Sequence, residues 1–178
     1  MSLAETALAW QGWGLTAEMS GAAPARESAL LNGGAACYRI YRTKDDKFVA
    51  LGALEKKFWQ NFCEAAGRPE WVSRHADPLP QSVLITEVAA LFATANRAEW
   101  DRCLGGVDCC YQAVLDYGEI EGHPHVMARG LVRRATSGGI QHVESTFAAV
   151  VDGKTPPPRA PCRDVTAEEA LAAWGLTV

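Results

Sequence analysis

No run of basic residues, no long unbroken apolar stretch and no Cys-x-x-Cys pair occurs in this chain. Each absence removes a class of function. Without clustered Lys and Arg, and with a net charge of −4 and a pI near 5.6, there is no positive field to hold nucleic acid or an anionic membrane surface. Without an apolar run behind a basic start, neither a signal peptide nor a membrane span is expected, and the expected location is the cytoplasm. The six cysteines (Cys37, Cys63, Cys103, Cys109, Cys110 and Cys162) are scattered through apolar surroundings, which fits reduced thiols better than a disulfide framework. The adjacent pair Cys109 and Cys110 is poorly placed for a bond, because neighbouring strand residues point to opposite faces. Glycine-rich nucleotide motifs, HExxH, GxSxG and zinc-type spacings are missing as well. His123 and His125 flank a proline without a third ligand and read as a solvated turn, and His75 and His142 stand alone, so no metal site is expected.

What is present is the material of one ordinary folded domain. The chain has 178 residues, 48% of them hydrophobic and 21% charged, enough to bury a core. Ser2 to Glu5 forms a helix-opening pattern, and Leu3, Ala7 and Trp10 lie on one stripe of the helix expected to follow. Residues 21–36, rich in Ala and Gly, read as a connector. Cys37 to Thr43 alternates, Lys44 to Lys47 supplies a polar turn, and Phe48 to Leu54 returns as the second strand of a hairpin. The returning strand is apolar throughout, which predicts a central strand covered on both faces.

Helical spacing resumes at Glu55 with Phe58, Trp59, Phe62 and Ala66, and Gly67 and Pro69 end it. Residues 67–79 read as loop. Val83, Leu84, Val88, Leu91 and Phe92 mark a further amphipathic helix, and Asn96 to Glu99 opens a short one through Trp100 and Leu104. A strand is expected over Cys109 to Leu115, a short helix capped by Asp116, and strands over Leu131 to Arg134 and Ile140 to Val151, the last compatible with helix as well. A Pro-rich tether over Asp152 to Pro161 leads to a final helix opened by Thr166 to Glu169 and carrying Leu171 and Trp174. The pattern predicts an α+β fold, a small antiparallel sheet with packed helices. Its division is an initial helix (1–20), a connector (21–36), a small α+β domain (37–151), and a tether with a C-terminal helix (152–178). Terminal helices with their own apolar stripes are expected to dock on a surface outside this domain.

One carboxylate stands out. Glu55 follows directly on the apolar stretch FVALGAL (48–54). A glutamate there can favour a helix start through the macrodipole, worth about 0.3–1 kcal/mol. A carboxylate at the mouth of a buried strand beside Gly52 can equally serve proton chemistry. Spacing alone leaves both open, as it does for Asp108, which can cap a turn or bind a ligand.

LNGGAACY (31–38), YRT (41–43) and KFVALGALE (47–55) resemble the class III CoA-transferase family of the CaiB/BaiF type, in particular its alpha-methylacyl-CoA racemase branch. FAT (92–94) with AEW (98–100), GVDC (106–109) with VL (114–115), and HPH (123–125) with ARG (128–130) follow in the family's order. The resemblance implies the small domain of a two-domain enzyme that interlocks as a homodimer, with the terminal helices docking on a large α/β domain. It further implies an acyl-CoA thioester as substrate, no tightly bound cofactor, and the principal catalytic His and Asp on the large domain. By the same resemblance Glu55 is the catalytic-site carboxylate, and Gly52, Ala53, Leu54, Tyr38 and Asp108 are substrate-binding. The chain departs from the family pattern at Lys56, where many relatives carry proline, at Asp45-Asp46, and at Ala36 and Ala113, where prolines are expected. A non-catalytic binding or oligomerisation module that retains the fold, including one whose end helices swap between subunits, is the alternative.

Overall fold

A computed structural model of the chain describes residues 2–137, 139–146, 153 and 165–176. It forms two compact units, Met1–Val114 and Leu115–Val178. That division falls inside the stretch 37–151 that the sequence pattern groups together.

The first unit opens with α1 (Leu3–Ala9) and α2 (Gly12–Met19). Ser2 caps α1 by accepting from the Glu5 amide at 3.4 Å. Two short helices replace the single expected one, because the turn at Trp10 and Gln11 interrupts it just before a helix that carries two glycines. Neither helix has a buried residue. The connector then becomes structural, since a π-type turn at Leu30–Gly34 leads into Ala35 and Ala36, both in the core. Glycine is required at position 34, where a Cβ would meet the Ser28 carbonyl oxygen at 2.6 Å.

The sheet is antiparallel, with β1 (Tyr38–Arg42), β2 (Phe48–Gly52) and β3 (Tyr111–Val114) in that order. The central position expected for β2 is observed. The expected cover on both faces is not: burial alternates along the strand, Val49 and Leu51 entering the core while Phe48 is 45% exposed. Centrality comes from pairing on both edges, and the second apolar face stays open. Tyr38, Ile40, Phe48 and Val114 share that open face, as the register Tyr38↔Gly52, Ile40↔Ala50 and Phe48↔Val114 requires.

Three helices cover the inner face. In α3 (Lys56–Ala65), Trp59, Phe62 and Cys63 point inward; in α4 (Ser82–Phe92), Leu84, Val88 and Phe92 do so; in α5 (Arg97–Leu104), Trp100 and Leu104 do. The spacings of three and four residues place each set on one helix face. Phe92 sits at the centre, its ring 5.2 Å from Tyr41, 5.8 Å from Phe62 and 5.1 Å from Trp100. The polar tips are satisfied: Trp59 donates to the Trp71 carbonyl, Trp100 to the Phe92 carbonyl and Tyr41 to the Ala36 carbonyl. Gln81, nearly buried, accepts from the Ala36 amide at 3.0 Å and donates to the His75 and Asp77 carbonyls. Residues 69–76, expected as loop, wind as a 3-10 helix (Pro69–Ala76) that buries Trp71.

In the second unit, α6 (Tyr117–Ile120) begins at Asp116, whose amide donates to Glu119 at 2.8 Å. The expected turn at His123 is instead the start of α7 (Pro124–Arg129), because proline at the first helical position needs no amide partner; Gly130 ends it in the left-handed conformation. A separate two-stranded sheet joins β4 (Val132–Ser137) and β5 (Ile140–Ser145). Thr166 and Glu169 then cap α8 (Ala167–Ala173) reciprocally, at 2.9 and 3.2 Å. The Pro-rich tether, apart from Gly153, and the end of the strand expected to reach Val151 lie outside the described residues. Among the described residues of this unit none is buried, and among all described residues no helix is long and apolar enough to cross a membrane.

Candidate functional site

The exit of β2 is fixed from both sides. Gly52 donates to the Cys110 carbonyl at 2.9 Å, and Ala53 donates to the Cys37 carbonyl at 2.8 Å. Pleating sends Ala53 wholly into the core, while Gly52 stays on the open face. Leu54 is half-buried against the core, so it and Ala53 serve to anchor the chain at the point where it turns.

Glu55 is next. Its backbone is extended (φ −78, ψ 139) and its carbonyl accepts from the Phe58 and Trp59 amides, so the main chain of Glu55 begins α3. The carboxylate makes no capping hydrogen bond and is exposed. Of the two readings of this residue, the helix start is therefore a backbone role that leaves the side chain uncommitted. Cys110 lies close enough to feel the charges of Glu55, Asp108 and Lys57. Burial pushes the Cys110 thiol up, and the negative charges of Glu55 and Asp108 push in the same direction, with Lys57 opposing them. Cys110 itself adopts φ 55.

Asp108 is tied down. Its Oδ2 accepts from Lys57 Nζ at 2.7 Å, which raises the lysine, and its carbonyl accepts from Asn61 Nδ2 at 2.8 Å. The ion pair joins α3 to the loop before β3. It also keeps the Lys57 ammonium on Asp108.

Tyr38 and Gly52 face one another across β1 and β2 and line a cleft of about 540 Å³, together with Leu31, Asn32 and Gly33 of the π-type turn. Of the six sequence-predicted residues, these two share the cleft, Glu55 and Asp108 stand at the adjoining chain exit, and Ala53 and Leu54 support it from below. Glu55 is not among the cleft-lining residues. Lys57, Cys110 and Asn61 were not legible in the sequence, because they meet Asp108 and Gly52 only through contacts about fifty residues apart, such as 51 between Lys57 and Asp108. Arg39 was missed too. It lines the cleft, donates to the Gly33 carbonyl, and pairs with Glu27 at 2.8 Å.

The remaining candidates are dispersed. His142 lies 3.2 Å from Glu144, His75 packs against the Trp59 ring, and His123 precedes α7. Among the described residues no group of three His, Cys, Asp or Glu is placed to hold a metal ion. Cys37, Cys63, Cys103, Cys109 and Cys110 are free thiols, and Cys162 lies outside the described residues.

Residues 1–162 match the family model described as CoA-transferase family III. Over 112 residues the chain is 32% identical to the alpha-methylacyl-CoA racemase of Homo sapiens, a stretch covering 59% of this chain and 28% of that protein. Over 115 residues it is 32% identical to a CaiB/baiF CoA-transferase family protein of Caenorhabditis elegans, covering 63% of this chain and 32% of that one. The chain thus spans about a third or less of the length of these relatives. Among solved structures, Rv3272 of Mycobacterium tuberculosis in its orthorhombic form shares the fold, with a TM-score of 0.60 at 18% identity over 87% of this chain and 41% of that one.

Proposed function

The chain belongs to CoA-transferase family III, and from that premise we propose that it is the small-domain part of an acyl-CoA-processing enzyme, of the CoA-transferase or alpha-methylacyl-CoA racemase type, acting in the cytoplasm. Its substrate is an acyl-CoA thioester. The observation that carries the reading is the state of Glu55: a strand anchored in the core delivers an exposed carboxylate that the following helix does not use as a cap.

In the racemase form of the reaction a base removes the proton alpha to the thioester carbonyl, the enolate is held, and a proton returns to the opposite face. Glu55 is the supporting carboxylate that orients or tunes that base. The Lys57 to Asp108 pair favours this role, because the ammonium is held by another carboxylate. The base itself, with the CoA-binding surface, is contributed by a large α/β domain, on which α1, α2 and α8 dock in a homodimeric enzyme. Alone, the chain is inactive.

The test is deuterium wash-in. A 2-methylacyl-CoA incubated in deuterated water with the chain alone is expected to keep its alpha proton. Adding a family large domain as a separate polypeptide is expected to start exchange. Exchange by the chain alone, or none from a large domain shown to bind it, contradicts the reading. A second reading, a non-catalytic binding or oligomerisation module, is favoured by the exposure of Trp10, Trp13 and Met19 at 80, 68 and 89%. It predicts association without turnover.

A further inference from the structure

Asp108 meets α3 through two contacts of different kinds. Its carboxylate accepts from Lys57 Nζ at 2.7 Å, and its backbone carbonyl accepts from Asn61 Nδ2 at 2.8 Å. Lys57 and Asn61 stand four residues apart, on one face of the helix. The Asn61 bond goes to main chain, so it does not depend on the side chain at position 108. Together with the Gly52 amide on the Cys110 carbonyl, it fixes residues 108–110 against the exit of β2 and the start of α3.

The ion pair is the contact that the fold can do without. The Lys57 and Asp108 side chains are 68 and 65% exposed, and a pair so open to water contributes little to stability. What it does decide is where one positive charge rests. The ammonium lies on Asp108, 5.2 Å from the centre of the Phe58 ring, and the carboxylate raises the lysine above its ordinary value. That charge sits on a long flexible stem. The carboxylate nearest to it along the chain is Glu55, two residues back, exposed and making no capping hydrogen bond. Cys110 feels Glu55, Asp108 and Lys57 together, so one electrostatic neighbourhood holds all three.

We propose that Asp108 is a positioning residue, which by holding Lys57 keeps the ammonium off Glu55 and leaves that carboxylate unpaired for the reaction. This role replaces the substrate-binding one that resemblance gives to Asp108, and it rests on the part assigned to Glu55 under the proposed function. Without Asp108 the ammonium turns to Glu55 and cancels the charge through which that carboxylate acts on the base.

The test has one arm on the full chain alone and one with the large domain. A zero-length carbodiimide links an amine only to a carboxylate that touches it, and mass spectrometry identifies the pair. The expected link is Lys57 to Asp108 in the unsubstituted chain and Lys57 to Glu55 in Asp108→Asn, a change of equal size that retains the Asn61 bond. With the large domain added, Asp108→Asn is expected to lower kcat for alpha-deuterium exchange about five-fold at unchanged KM. Adding Lys57→Met to Asp108→Asn is expected to restore it. A missing Lys57 to Glu55 link in Asp108→Asn, a rise in KM, or a loss that persists after Lys57→Met overturns the proposal, the last two returning Asp108 to substrate binding. The cross-links are read without turnover, so they succeed or fail apart from the acyl-CoA reading; absence of exchange from the unsubstituted chain with a bound large domain overturns that reading, and this role with it.

Discussion

Residues 34–109 contain every buried residue described in this chain, whereas α1, α2 and the second unit contain none. The two regions are not told apart by composition, for the exposed Trp10, Trp13 and Trp174 are as apolar as Trp59, Trp71 and Trp100 in the core. They differ in whether the chain supplies the surface that covers them. In the core, three rings meet around Phe92, and the indole nitrogens of Trp59 and Trp100 each find a carbonyl. In α1, α2 and α8 the same residue types line helices that bury nothing of their own. The core region thus explains its own stability, and on the reading proposed above the exposed helices find their cover on the large domain.

This contrast is broken most forcefully at its centre. Phe92→Ala is expected to lower unfolding free energy by about 3–5 kcal/mol, measured by urea denaturation, since it removes a fully buried ring that three others contact. A loss below about 1 kcal/mol would show that the core is not organised around Phe92. Gln81→Ala is expected to cost about 1–3 kcal/mol in the same assay, because it strands the buried Ala36 amide and two carbonyls. Trp13→Ser sharpens the comparison from the other side: the stability of the chain alone is expected to change by less than about 0.5 kcal/mol, while affinity for a large domain, read by titration calorimetry, falls. A destabilisation as large as that of Gln81→Ala would mean that α2 is packed within the chain itself.

Much of the core region was legible because its signals are local. The capping pattern at Asn96 and Glu99 gives α5, and the Asn96 amide bonds Glu99 at 2.8 Å as the spacing requires. The stripe Leu84, Val88 and Phe92 gives α4, and alternation gives β1. What escaped is what locality cannot encode. The apolar run Phe48 to Leu54 pointed to a strand covered twice, yet an apolar face that the chain leaves exposed has the same composition as a buried one. Residues 30–34 and 69–76 carry no helical or strand period, so their π-type and 3-10 turns left no pattern.

At the candidate site, Glu55, Gly52 and Tyr38 were visible through resemblance, and register then put Tyr38 opposite Gly52. Arg39 with Glu27, and Lys57 with Asp108, are pairs made by the fold, and no spacing announces them. Nor did the sequence say whether the Glu55 carboxylate would close on its own helix. That depended on the backbone at the strand exit.

The most direct test of the role given to Glu55 is the rate of alpha-deuterium exchange into an acyl-CoA by the chain combined with a large domain, compared between Glu55 and Glu55→Gln, with Glu55→Asp as the conservative control. The account predicts a fall of about 10²-fold or more for the glutamine variant, a smaller one for aspartate, an altered pH profile of kcat, and unchanged urea stability and domain affinity. Exchange at the unsubstituted rate in Glu55→Gln, with the same pH profile, would contradict it.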